Sequence, residues 1–177
     1  KLARWAAVQG IEVLGGNGAI ETFSVLPRLL RDSIVTENWE GTHNTLQMQI
    51  MRDMQKYQVH EGFFAYVGEL ISDVRPDDEP WAEAVHRRLA EAAESLPGLR
   101  DIDPGAATLV MRPLMDELTY LMYAAVRLWE RSRADADDPV DRASLAHFVE
   151  TRLLEERRRT DADYLQRIRT LARVQEG

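Results

Sequence analysis

Apolar residues in this chain recur three and four positions apart, and almost nowhere in strict alternation. That spacing belongs to helices with one buried face, and no period-two run persists long enough to predict a strand. A first helix is expected from about Leu2 to Leu14, stopped by Gly15-Gly16-Asn17-Gly18. Glycine ends a helix because it reaches left-handed angles without steric cost. A short helix is expected near Pro27, carrying Arg28, Leu29, Leu30, Arg31 and Asp32. A third should run from about Gly41 to Tyr57, with Leu46, Ile50, Met51 and Met54 on its apolar face. Phe63, Phe64, Tyr66, Val67, Leu70 and Ile71 predict a fourth.

The run Pro76-Asp77-Asp78-Glu79-Pro80 then breaks the chain. Trp81 to Leu96 predict an amphipathic helix, and Pro97-Gly98 and Asp103-Pro104-Gly105 bracket a loop. Ala106 to Arg131 read as one long helix, bent or started afresh at Pro113. Tyr120, Tyr123 and Trp129 on that helix read as core more readily than as an interface stripe. Asp137-Asp138-Pro139 is an acidic cap followed by proline, a strong helix start. One helix or a pair should follow from Val140 to Val174, with Thr160 and Asp163 opening a new turn. The expected fold class is all-α, an antiparallel helical bundle joined by short loops.

Charge and composition narrow the function. The net charge of −8 argues against a nucleic-acid partner, which rewards cations that neutralise phosphates, and against docking on an anionic membrane. The acid excess lies beyond Gly62. The one tight basic run, Arg157-Arg158-Arg159, reads as a solvated helix face beside Glu155 and Glu156. There is no cysteine, so no disulfide, thiolate zinc site or thiol nucleophile. Nothing approaches the roughly 20-residue apolar run that spans a bilayer, so no membrane insertion is expected. The first residue is Lys, with no basic-then-apolar signal segment after it, and the chain reads as a piece of something longer.

Three short features carry the chemistry. They are Glu12-Val13-Leu14-Gly15-Gly16-Asn17-Gly18, then Leu26-Pro27-Arg28-Leu29-Leu30-Arg31-Asp32, then Glu37-Asn38-Trp39-Glu40-Gly41-Thr42-His43-Asn44-Thr45. Each has an ordinary reading alone: a helix cap, a surface ion pair and the start of a helix. In this order and spacing they resemble the acyl-CoA dehydrogenase family. There a helix ends in a Gly-Gly turn, an Arg-Asp segment follows, and an aromatic-Glu-Gly-Thr loop opens the next helix. The resemblance covers about Leu2 to Lys56.

The resemblance implies a catalytic role for Glu40, as the base that removes the α-proton of an acyl-CoA thioester. It implies FAD as cofactor, taking the β-hydrogen as hydride to leave a 2-enoyl-CoA. The Glu40 amide would be a donor to the thioester oxygen, Trp39 would line the acyl pocket, and Gly41 would let the chain pass close to the ligand. Thr42 and Asn44 match flavin contacts near a helix N-terminus. Gly15 and Gly16 match the turn that touches the dinucleotide of a neighbouring subunit, which implies a homo-oligomer, dimer or tetramer. An electron-transfer acceptor protein and a cytoplasmic location complete the expectation. Glu12 stands where many members have Gln, Ala19-Ile20 stand where many have an aromatic, and His43 falls at a position expected to vary.

The family's N-terminal helical domain and middle β-domain have no counterpart here, so the piece alone is expected to be inactive. Residues 1–61 are expected to be the end of the dehydrogenase helical domain, and 62–177 a helical extension. An extension of this kind occurs in alkylation-response flavoproteins, where it is implicated in DNA binding; the acidity here speaks against that role. Two other readings compete. Glu40 with His43 and Glu83 with His86 have metal-ligand spacing. The first pair belongs to the flavoenzyme loop and the second has no partner pair, so no metal is expected. The other reading is a helical interaction or oligomerisation module of a non-dehydrogenase flavoprotein.

Overall fold

The computed structural model describes residues 2–97, 104–154 and 162–172. Most of the expected 97–105 loop, the Arg157-Arg158-Arg159 run and Thr160 lie outside the described residues. All regular structure among the described residues is helical, as the periodicity predicted. The chain forms two compact units, Lys1–Ile50 and Met51–Gly177.

The first unit holds α1 (Leu2–Val13), a 3-10 turn (Gly15–Ala19), α2 (Leu26–Asn38) and the start of α3 (His43–Tyr57). Gly15 has φ +60°, a left-handed angle that closes α1 as the glycine run predicted. Gly18 is buried, and a Cβ there would come within 2.5 Å of the Ile11 carbonyl oxygen, so only glycine lets the turn fold back on α1. Gly10 opens α1 to Leu26, whose Cδ1 would stand 3.1 Å from an added Cβ. Ser24 Oγ accepts from the Leu26 amide at 3.1 Å and starts α2. This helix is longer than the short one expected, because no breaker intervenes before Gly41. Its last residues are tied back by Thr36 and Asn38, which donate to the carbonyls of Asp32 and Ile34.

The second unit begins within α3, which ends where Gln58 takes a left-handed φ of 54°. Then follow α4 (Val59–Leu70), a 3-10 turn (Pro76–Asp78), α5 (Glu79–Ser95), α6 (Pro104–Arg133), α7 (Pro139–Phe148) continuing as a π-turn (Val149–Leu153), and α8 (Ala162–Ala172). Asp138 caps α7, accepting from the Val140 amide at 2.8 Å, as the Asp-Asp-Pro signal predicted. α6 is one helix through Pro113. The proline is exposed, so the hydrogen bond it removes falls on the solvated side. The core of α6 is Met111, Leu114, Leu118, Leu121, Ala125 and Leu128, at spacings of three and four. Tyr123 and Trp129 are not in this core, contrary to expectation: both are exposed, whereas Tyr120 is half-buried, edge-on to Phe148. They lie off the leucine stripe. Tyr123 instead packs on Phe148, 4.4 Å between centroids, and Trp129 lies under the Arg133 guanidinium. Ile50 is likewise exposed where an apolar face was expected, whereas Met51 and Met54 are buried.

One polar cluster locks this unit. Arg131, 3 % exposed, donates to both carboxylate oxygens of the fully buried Asp78, at 2.9 and 3.1 Å. It also reaches Asp137 at 2.7 Å and Asp141 at 3.1 Å. Arg75 donates to the Arg131 carbonyl at 2.6 Å. The end of α6 is thereby tied to the start of α5 and the start of α7. Such a cluster is tolerable inside a protein because every charge has partners.

Candidate functional site

The loop between α2 and α3 holds Trp39, Glu40, Gly41 and Thr42. The Gly41 amide donates to the Asn38 carbonyl at 3.1 Å, closing a tight turn. Gly41 has φ +131°, a conformation that side-chain-bearing residues rarely adopt, and this explains why α3 starts at His43 and not at Gly41. Thr42 caps α3. Its Oγ1 accepts from the Thr45 amide at 3.4 Å and lies 3.1 Å from the Thr45 hydroxyl, while its carbonyl accepts from the Leu46 amide.

Turn and cap together present Trp39 and Glu40 outward. Trp39 is 76 % exposed, and Glu40 is exposed with no hydrogen bond or ion pair among the described residues. Asn44 is exposed in the first turn of α3. Gly15 and Gly16 lie in the other turn of the same unit, both exposed, with open space where a Cβ would stand. Asp32 pairs with Arg28 at 3.8 Å on the surface, and Arg31 turns to Glu21.

The sequence reading assigned nothing to Glu37, yet its carboxylate is the best-buried charge in this unit, its side chain only 5 % exposed. Its Oε1 accepts from His43 Nε2 at 2.6 Å, and Arg4 of α1 lies 3.4 Å from its Oε2. The His43 hydrogen bond, helped by the charges of Arg4 and His43, holds its carboxyl below the ordinary value against the opposing effect of burial. His43 is therefore partnered by Glu37, not by the Glu40 of its Glu-x-x-His spacing. Glu83 and His86 are both exposed on α5. Among the described residues no three His, Asp or Glu gather as a metal site, and no helix is long and apolar enough to cross a membrane.

The fold class and this loop define a helical segment with a capped, glycine-hinged acidic turn. Residues 1–55 match the family of the acyl-CoA dehydrogenase C-terminal domain. It is 39 % identical over 72 residues to acyl-CoA dehydrogenase family member 11 of Caenorhabditis elegans, covering 40 % of this chain and 12 % of the relative. It is 34 % identical over 91 residues to the protein named "Putative acyl-CoA dehydrogenase AidB" of Escherichia coli (strain K12), covering 50 % of this chain and 16 % of that one. The chain thus spans less than a fifth of the length of these relatives. Both alignments are longer than the 55-residue family segment, so the likeness runs into residues outside it. No solved structure matches.

Proposed function

We propose that the full-length protein carrying this chain is an FAD-dependent acyl-CoA dehydrogenase with Glu40 as its catalytic base. The observation that carries this reading is the loop itself: an exposed, unengaged carboxylate at a glycine-hinged turn, capped onto α3 by Thr42, within the segment that matches the family. A thioester α-proton is weakly acidic, so its base has to be free of other partners and held in place. Of the two nearby carboxylates, Glu37 is committed to His43 and Arg4, and Glu40 is the one left to accept a proton. As charge builds on the thioester oxygen, the Glu40 amide would donate to it. Trp39 would cover the acyl chain, and Gly41 would leave the approach open.

The residues present fit FAD on two observations. The Gly15-Gly16 turn offers exposed backbone without side chains. Thr42 and Asn44 stand at the N-terminal end of a 15-residue helix, where phosphate is favoured. When bound, FAD would supply the hydride acceptor for the β-carbon. Residues 1–61 would be the end of the dehydrogenase domain and 62–177 its extension, in a cytoplasmic homo-oligomer that passes electrons to an acceptor protein. The exposed apolar side chains of the first unit favour a second reading, an interaction module of a flavoprotein without this activity.

One experiment separates them. The flavin absorbance of the full-length protein is recorded without oxygen while a panel of acyl-CoA thioesters is added. Bleaching that Glu40→Gln abolishes is the expected result. Bound flavin that no thioester bleaches would overturn the enzyme reading and leave the second.

A further inference from the structure

We infer that the Arg4–Glu37–His43 chain is the positioning device of the Glu40 loop, a role that rests on the function proposed above only for its catalytic consequence. Glu37 lies in the last turn of α2 and His43 is the first residue of α3, so their 2.6 Å hydrogen bond closes the base of the loop between them. Arg4 ties the same carboxylate to α1, and the Glu37 side chain is 5 % exposed. Three helices are therefore joined through one buried carboxylate.

Local electrostatics does not explain Glu37. An acidic side chain at a helix C-terminus opposes the helix dipole. Glu37 occupies that unfavourable end of α2. What the arrangement supplies is geometry. With Glu37 ionised, His43 Nε2 must carry the proton of the shared hydrogen bond, so the bond has one direction and fixes the ring. Gly41 makes the turn possible but also adaptable. The turn's own ties are the Asn38 bond at one end and the Thr42 cap at the other. The hydrogen bond to the buried Glu37 carboxylate restricts what the glycine leaves free. Trp39 and Glu40 are thus held outward without either being engaged.

The test uses the full-length protein and two independent readouts. Amide hydrogen exchange over residues 38–42 is compared in wild type, Glu37→Ala, Glu37→Gln, His43→Ala and His43→Gln. Exchange should accelerate at least tenfold in the alanine variants. The glutamine variants, which keep a hydrogen-bonding partner, should recover part of the protection and remain available if an alanine variant fails to fold. In parallel, kcat for acyl-CoA oxidation should fall about as far in the alanine variants, with KM changed little, since the bond orders the base and does not touch substrate. Unchanged exchange in both Glu37→Gln and Glu37→Ala would overturn the positioning role. A wild-type protein that oxidises no thioester, yet shows the exchange pattern, would sink the enzyme reading while upholding the clamp.

Discussion

The two units of this chain dispose of their apolar residues in opposite ways. In Met51–Gly177 most leucines and alanines of α5, α6 and α7 are buried at helical spacing, and the Arg131–Asp78 pair is buried with them. In Lys1–Ile50 the buried residues are Ala7, Gly18 and Gln47, while Val13, Phe23, Val35 and Trp39 are all more than half exposed. The second unit has the core of a domain that holds itself together. The first has helix caps, glycine contacts and one ion-pair chain, the parts that shape a site, with little core of its own. A segment built that way fits a site supported by more protein than itself, and it is this segment that matches the acyl-CoA dehydrogenase C-terminal domain.

The largest expected effect tests whether buried charge really organises the second unit. Asp78→Ala would leave Arg131 buried without its bidentate partner, and breaking a buried pair from one side costs about 3–5 kcal/mol. The surface pair Arg28–Asp32 of the first unit makes the contrast, since both side chains are more than 60 % exposed. Arg28→Ala should cost no more than about 0.5 kcal/mol. Urea unfolding followed by circular dichroism measures both, and similar losses for the two variants would refute the distinction.

Apolar truncation sharpens the same contrast. Leu121 is fully buried, and Leu121→Ala should cost about 2–5 kcal/mol from lost transfer energy and a residual cavity. Val35 is 63 % exposed, and Val35→Ala should fall within about ±0.5 kcal/mol in this chain. Repeating Val35→Ala in the full-length protein adds information: a loss there would mean the α2 face is covered by the remainder of the molecule.

Glycine substitutions work at shorter range. Gly18→Ala must displace the Ile11 backbone, which cannot swing aside as a side chain could, so a cost of about 1–3 kcal/mol is expected. Gly16→Ala meets nothing within 4 Å and has no positive φ, so it should be close to neutral. Thermal unfolding of the pair tests whether the turn is held by packing or only by its glycine content.

Much of this was legible because the relevant residues lie close together in sequence. Helix periods, the Asp138-Pro139 start and the Gly15 stop all depend on neighbours within one turn. The Glu40 loop was legible for the same reason, as a contiguous motif. Arg131 and Asp78 are 53 positions apart, and each looks like a solvated charge until the helices bring them together. Glu37 and His43 are only six apart, inside the quoted motif, yet no helical spacing rule connects residues across a loop. Tyr123 and Trp129 misled because aromatic content was taken as a sign of core, when the leucine stripe beside them filled it. The π-turn at Val149–Leu153 has no residue signature that would announce it.

The smallest expected effect is a difference in acid response. In the second unit, burial, and then the nearby charge of Arg167, lowers the His147 pKa below 6.5. A histidine held neutral in the fold gains protons more readily when unfolded, so its contribution is present above 6.5 and drains away as pH falls below it. In the first unit the sign is that of a carboxylate. The Glu37 pKa lies below its ordinary 4.5, so its contribution is complete above that value and is lost only as pH falls further. Between about pH 6.5 and 5 the second unit should therefore weaken through His147 while the Glu37 clamp keeps its full strength. Hydrogen exchange read separately over residues 140–153 and 38–42, after correction for the intrinsic pH dependence of exchange, resolves the two. His147→Gln should remove the first response and leave the second. If residues 38–42 lose protection in that same window, the Glu37 carboxylate is not what holds the loop.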